Sequence, residues 1–319
     1  MAPRFPRLIM KMRLAAARLL TPDVRLLSFE RVNGKPMPAP APGDHVDVHL
    51  PNGHVNQYSL CGPPEETDRY TIAIKKLPEG RGGSDWLHSG LNLGDIALVS
   101  QPRNHFPLER GRPHTILLAA GIGITPIASM AGELARTGAR FELHYSTRTQ
   151  DAPFAEELAG LCGAAKFRHH TGGRKHPGGL SLEQVLASAP QGTAVYCCGP
   201  QSYMDAVRAA TASWPEEDVR FEAFQAPQDD GFVPAPATVQ IRSTGETLHV
   251  AADESLLAVL NRKGFDFPSK CSNGVCGTCE IGYLSGKVLH RDAVLGPKAH
   301  QRRMMPCVSR TNTTVVLDL

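Results

Sequence analysis

No stretch of this 319-residue chain is apolar for long enough to cross a membrane as a helix. An excess of one charge is also missing: 34 Lys and Arg stand against 31 Asp and Glu, a net of +3. There is no basic run and no ladder of aromatic residues, which argues against nucleic-acid binding. A secretory leader is not expected. Arg4 to Leu20 is mildly basic and amphipathic, but Lys11 and Arg13 interrupt any apolar core. A disulfide framework is lacking too, because Cys61, Cys162, Cys197 and Cys198 have no framework spacing. These absences predict a cytoplasmic protein that binds neither membrane nor nucleic acid. With 41% apolar residues there is ample core, and the length predicts two or three domains.

What is present is Cys271-x4-Cys276-x2-Cys279, with Cys307 following after 27 intervening residues. This is the ligand spacing of a plant-type 2Fe–2S cluster, which carries one electron. Structural zinc prefers two separated C-x2-C pairs, and here a triplet and a distant single are found. Three thiolates must come from one tight loop, Ser269 to Cys279, where Gly274 and Gly277 allow positive φ and close approach. Around the motif, Thr238–Ile241 and Glu246–Val250 read as strands about a turn at Thr244-Gly245. Asp253–Leu260 reads as a capped helix with an acidic first turn, ended by Gly264, and Val315–Leu319 as a last strand. This order suits a β-grasp ferredoxin over 237–319. The Pro-, Gly- and acid-rich segment from Ala226 to Pro236 separates it from the rest.

Upstream, His114–Ala120 is a continuous apolar run, as for a buried parallel strand. Gly121-Ile122-Gly123-Ile124-Thr125-Pro126 follows and opens a helix that Thr125 can cap. Glycines there suit phosphate binding, although the third glycine of the dinucleotide fingerprint is missing and a plain tight turn fits as well. Phe141–Ser146 and Thr193–Cys198 read as further strands, the latter followed by Gly199-Pro200 and a helix from Gln201 to Ala212. The alternation predicts a doubly wound parallel α/β sheet over 110–226, with Gly121, Thr125, Cys198 and Gly199 lining one crevice. Cys198 also reads as a small core residue; no paired histidine makes it a nucleophile. Residues 1–109 show short alternating runs, at 24–29, 45–50, 58–60, 70–75 and 96–99, as in an antiparallel barrel. Gly80-Arg81-Gly82-Gly83-Ser84 before Asp85-Trp86-Leu87 reads as an anion cradle or as a flexible loop.

Taken together, these motifs resemble the phthalate dioxygenase reductase and vanillate O-demethylase reductase family over nearly the whole length. Tyr58-Ser59-Leu60-Cys61, Gly82-Gly83-Ser84, Pro102-Arg103-Asn104-x-Phe106-Pro107-Leu108, Gly121 to Pro126, Tyr196 to Gln201 and Val316 to Leu319 carry the likeness. It implies a domain order of flavin-binding barrel, nicotinamide domain, linker 227–236 and ferredoxin. It also implies FMN rather than FAD, NADH, a 2Fe–2S cluster held by Cys271, Cys276, Cys279 and Cys307, and a Rieske-type terminal oxygenase as electron acceptor. By the same resemblance, Asn56, Gln57, Tyr58 and Ser59 face the flavin, backbone of Ala73, Ile74 and Lys75 flanks it, and Arg81, Gly82, Gly83 and Ser84 hold its phosphate. Gly121, Gly123, Thr125, Pro126, Cys198 and Gly199 line the nicotinamide side, and Phe224 covers the ring. Ser59, Cys198 and Phe224 are the residues this places nearest the chemistry; Phe224 equally reads as an interdomain core residue.

The chain departs from the family motif at Asn56, where the family has arginine. That loss of a charge-assisted contact predicts weaker flavin retention, with Arg81 as a compensating cation. Ser146-Thr147-Arg148 stands where NAD enzymes often carry an acid, which keeps NADPH open. Other readings are a stand-alone flavin or ferric reductase, and a non-catalytic electron carrier.

Overall fold

In a computed structural model, residues 8–53, 55–63, 65–77, 82–172, 179–226, 231–268 and 270–319 are described. The chain divides into two compact units, Met1–Glu222 and Ala223–Leu319.

The first unit begins with an antiparallel sheet. Its strands are β1 (Ile9–Thr21), β2 (Val24–Arg31), β3 (Asp44–His49), β4 (Val55–Ser59), β5 (Arg69–Lys75), β6 (Ile96–Ser100) and β7 (Arg103–Asn104). The order is β4-β3-β6-β1-β2-β5, with β7 on β3. One bridge between Leu60 and Ile72 joins the two outer strands and closes the barrel. The amphipathic N-terminal stretch is thus the longest strand. Met10, Met12 and Leu14 point inward and Lys11 and Arg13 outward, a period of two. The core holds Phe29, Val46, Val48, Ile72, Leu87 and Val99. Arg103, of the Pro-Arg-Asn motif, is an ion-pair partner of the buried Asp47 on β3.

After β5 come a short helix, α1 (Gly83–Asp85), and a single π turn, Trp86–Gly90. Arg25 of β2 donates to the carbonyls of Leu87, His88 and Leu91 at 2.9, 2.9 and 3.0 Å, which fixes this turn to the barrel wall. A cation at the open carbonyl end also suits the local dipole.

The second sheet is wholly parallel. Its strands are β8 (Thr115–Ala120), β9 (Phe141–Thr147), β10 (Phe167–Thr171), β11 (Ala194–Cys198) and β12 (Val219–Glu222), in the order β10-β9-β8-β11-β12. The connecting helices are α2 (Ile124–Arg136), α3 (Ala155–Cys162), α4 (Leu182–Ala187) and α5 (Gln201–Ala210). The order reverses between β8 and β11, which makes that gap the topological switch point. Thr125 is not the cap of α2. A 3-10 turn over Gly121–Gly123 feeds the helix, Gly123 is its N-cap, and Thr125 Oγ1 donates to the Ile122 carbonyl at 3.1 Å.

The second unit contains β13 (Ala237–Ile241), β14 (Thr247–Val250), α6 (Leu256–Arg262), β15 (Ile281–Ser285), β16 (Val288–Leu289), α7 (Pro297–His300), β17 (Arg303–Met304), β18 (Arg310–Thr311) and β19 (Val315–Leu317). The main sheet runs β14-β13-β19-β15-β17, with β13 and β19 parallel. This is the mixed sheet of a β-grasp, and Leu256, Val259 and Leu260 of α6 pack on it. The cap of α6 is Ser255, whose Oγ accepts from the Ala258 amide at 3.2 Å, so Asp253 and Glu254 precede the helix. Glu254 instead pairs with Arg262 across the helix.

Candidate functional site

Three groups of predicted residues are brought together. The first is a cleft in the barrel seam. Strands β4 and β5 meet at the Leu60–Ile72 bridge. No backbone pairing joins Asn56–Ser59 to Ala73–Lys75 among the described residues. One edge of each strand is left with open N–H and C=O groups, which need a partner when covered. Asn56 Nδ2 donates to Tyr58 Oη at 3.2 Å. The same Nδ2 lies 2.3 Å from where a Cβ on Gly83 would stand, with Leu50 Cδ1 at 2.6 Å. A Cβ there would make the Asn56 and Leu50 side chains shift. Gly82 has a φ of +81° and initiates that turn, and Ser84 Oγ accepts from the Leu77 amide at 3.3 Å. Gln57 contacts His45 at 3.1 Å and Asp47 at 3.3 Å, so it braces β4 on β3. Lys75 is held by Asp23 at 3.4 Å. Arg81 lies outside the described residues.

The second group sits at the switch point. Cys198 pairs in register with Ala119 on one side and Glu222 on the other. A Cβ on Gly123 would meet the Cys198 carbonyl oxygen at 2.3 Å, and one on Gly199 would meet Ala120 Cβ at 2.9 Å. Gly121 has a φ of +55°, and its carbonyl accepts from Tyr145 Oη at 3.1 Å. The glycine turns therefore face each other at the ends of β8 and β11, next to the start of α2. Amides at the start of a 13-residue helix favour an anion. Cys198 is buried, and its thiol is pushed well above the usual range by desolvation and then by Glu222. It packs as a core residue. Arg148 is exposed at the end of β9.

One residue that sequence reasoning did not assign links the two groups. Ser59 Oγ, at the end of β4, donates to Glu222 Oε2, at the end of β12, at 3.2 Å. Burial in the fold pushes the Glu222 carboxyl up to about 7, against the lowering effect of the Ser59 bond. The sequence carried no signal for this. Phe221-Glu222-Ala223-Phe224 looks like any strand end, and only the tertiary fold brings residues 59 and 222 together.

The third group is the cysteine loop. Cys271, Cys276, Cys279 and Cys307 are all buried. Gly274 and Gly277 have φ of +69° and +67°, and Ser272 also lies at positive φ, +48°. The thiols associate as two hydrogen-bonded pairs, Cys271 with Cys276 and Cys279 with Cys307. Each pair has one thiol shifted down and its partner shifted up by that bond. Among the described residues, no three of these sulfurs lie within 4.8 Å of one another. Two pairs suit two irons, whereas one zinc would gather all four sulfurs. The Asn273 amide donates to Cys271 Sγ at 3.3 Å. The donor set thus fits a 2Fe–2S cluster. Phe224 belongs to the second unit and is exposed.

Comparison with known proteins agrees with this architecture. Residues 239–311 match the 2Fe-2S iron-sulfur cluster binding domain. The chain is 41% identical over 316 residues to the heme-dependent oxidative N-demethylase beta subunit of Ectopseudomonas mendocina, covering 98% of this chain and 99% of that one. It is 39% identical over 312 residues to the vanillate O-demethylase oxidoreductase of a Pseudomonas species, covering 96% and 98%. The solved structure of phthalate dioxygenase reductase superposes with a TM-score of 0.78 at 36% identity, covering 98% of both chains. The fold and the site define a flavin- and pyridine-nucleotide-dependent iron–sulfur oxidoreductase. The chain belongs to the phthalate dioxygenase reductase family and is the reductase component of an oxygenase system. No helix among its described residues is long and apolar enough to cross a membrane.

Proposed function

We propose that the protein oxidises NADH through FMN and a plant-type 2Fe–2S cluster, and delivers single electrons in the cytoplasm to a Rieske-type terminal oxygenase. The observation that carries this reading is the Ser59–Glu222 contact at 3.2 Å, which joins the seam cleft to the switch-point crevice within one unit. A hydride donor in the crevice and an acceptor in the cleft would then be neighbours. When bound, the flavin converts a two-electron hydride into single electrons, and the cluster carries them one at a time.

The protein's own residues bind, orient and exclude water. Tyr58 and Ser59 orient the ring, and the open backbone edge of Ala73, Ile74 and Lys75 supplies hydrogen bonds to it. Gly82, Gly83 and Ser84, with Arg81, hold the phosphate. Gly121, Gly123, Thr125 and Pro126 receive the nucleotide phosphates, and Cys198 and Gly199 floor the nicotinamide pocket. Cys271, Cys276, Cys279 and Cys307 ligate the irons. The barrel, the nicotinamide sheet and the ferredoxin are read as three modules, 1–109, 110–226 and 237–319, with 227–236 as linker.

Cofactor release and chromatography distinguish FMN from FAD, and anaerobic titration distinguishes NADH from NADPH. Coupled turnover with candidate oxygenases tests the partner. A heme oxygenase is a second reading, because the N-demethylase relative is heme-dependent. Turnover with a heme partner alone would overturn the Rieske assignment. Replacing Cys276 by serine should abolish electron delivery but spare NADH-driven ferricyanide reduction. Loss of both would sink the electron order proposed.

A change at Asn56 tests the flavin phosphate site. Asn56→Arg restores a cation beside Gly83 and is expected to tighten FMN about 10-fold, the size of one charge-assisted hydrogen bond. Equilibrium dialysis of FMN against both proteins measures it, and an unchanged Kd would remove Asn56 from the site.

A further inference from the structure

After β16, a loop and α7 converge three side chains that the electron path does not use. The side chain of Asp292 is fully buried. Its Oδ2 accepts from the amides of Val294 and Leu295 at 3.2 and 2.8 Å, which fixes the carboxylate plane. Its Oδ1 has no hydrogen-bond partner and faces His300 Nε2 at 3.5 Å and His290 Nδ1 at 4.0 Å. Those two ring nitrogens are likewise buried without a hydrogen bond. The rings stack at 3.9 Å and 18°. One donor atom from each residue lies within 4.8 Å of the other two, the only such trio of His, Cys, Asp or Glu among the described residues.

We propose that His290 Nδ1, Asp292 Oδ1 and His300 Nε2 form a site for a divalent transition-metal ion of the zinc class, separate from the cysteine-held irons. Two imidazoles and a carboxylate are donors such ions accept, with bonds of roughly 2.0–2.2 Å. At those lengths tetrahedral ligand atoms stand roughly 3.3 Å apart. The observed 3.5 and 4.0 Å contacts therefore need to contract by less than 1 Å, and one imidazole must turn out of the stack so that both ring planes meet at the ion. Three protein ligands leave a fourth position for water. Imidazoles ligate in their neutral form. The supporting shell is in place: Tyr283 Oη donates to the His300 carbonyl at 2.5 Å. The intervening Arg291 is engaged over the Phe232 ring at 3.9 Å. The Ala293 amide donates to the Gly274 carbonyl at 3.0 Å. The ion would thus clamp the segment on which the cysteine loop rests to α7.

The test uses the holoenzyme and Zn²⁺. After dialysis against buffered zinc, metal analysis should find one zinc beside two irons per chain, and the melting temperature should rise. In His300→Gln and His290→Gln, zinc affinity should fall at least about 100-fold, the upper end of what even outer-shell changes cost, with iron content and visible absorbance retained. Zinc uptake equal to wild type in His300→Gln, no uptake in the wild type, or uptake that displaces iron would each overturn the proposal. If His290→Gln fails to fold, His300→Gln still decides, because that side chain is 27% exposed.

Discussion

Gly123→Ala should cripple NADH-driven electron transfer while flavin and iron content stay at wild-type levels. The φ of Gly123 is −61°, so alanine meets no conformational objection. The objection is steric. Its Cβ would lie 2.3 Å from the Cys198 carbonyl oxygen, 2.5 Å from the carbonyl carbon and 2.8 Å from the Gly199 amide nitrogen. These are backbone atoms with no rotamer to escape into. The ends of β8 and β11 must part, at a cost of about 1–3 kcal/mol for overpacking. Both turns lie in the crevice assigned to the nucleotide, so KM for NADH should rise at least about 10-fold. Gly132→Ala on the same helix is the control. Its Cβ would meet only Leu161 Cδ2 at 4.0 Å, and alanine favours a helix. Wild-type NADH kinetics in Gly123→Ala would remove the switch point from the site.

The second large effect belongs to Glu222. Its carboxyl is raised from 4.5 to about 7 in the folded chain, chiefly by burial. Between those values the folded state holds more protons than the unfolded one, so stability falls as pH rises. The penalty is absent below pH 4.5 and complete above pH 7. The shift corresponds to about 3 kcal/mol. Glu222→Gln keeps the shape and removes the titration. It should match wild type near pH 4 and be more stable by about 2–3 kcal/mol at pH 8.5. Denaturant unfolding of the full chain at both values reads the difference. Parallel pH dependence in the two proteins would mean that Glu222 ionises without penalty.

The sequence was legible where one local pattern determines one element. The run Ile116–Ala120 is apolar throughout because both faces of β8 are covered, and β-grasp order followed from two short strands, a capped helix and a last strand. The cysteine spacing located its loop because all ligands but one lie within nine residues. What escaped reading was non-local or locally ambiguous. β1 looked like a basic amphipathic segment because Leu19 and Leu20 follow its alternating part. β10, Phe167–Thr171, carries two histidines and an arginine where a buried strand would be apolar. β12 and its Glu222 are ordinary strand-end sequence until β4 is folded against them. The cap of α2 was displaced because the two glycines form a 3-10 turn that starts the helix before Thr125.

The single bridge between Leu60 and Ile72 has a consequence for the protein without its cofactor. A barrel sealed at one point carries two raw sheet edges beyond it, Asn56–Ser59 and Ala73–Lys75. In the proposed flavin site, a flat ring with polar rims would fill the role of a missing strand there. Emptied, the same seam is a template for strand addition by another chain. Cofactor loss should therefore appear first as self-association of the barrel, with unfolding only later.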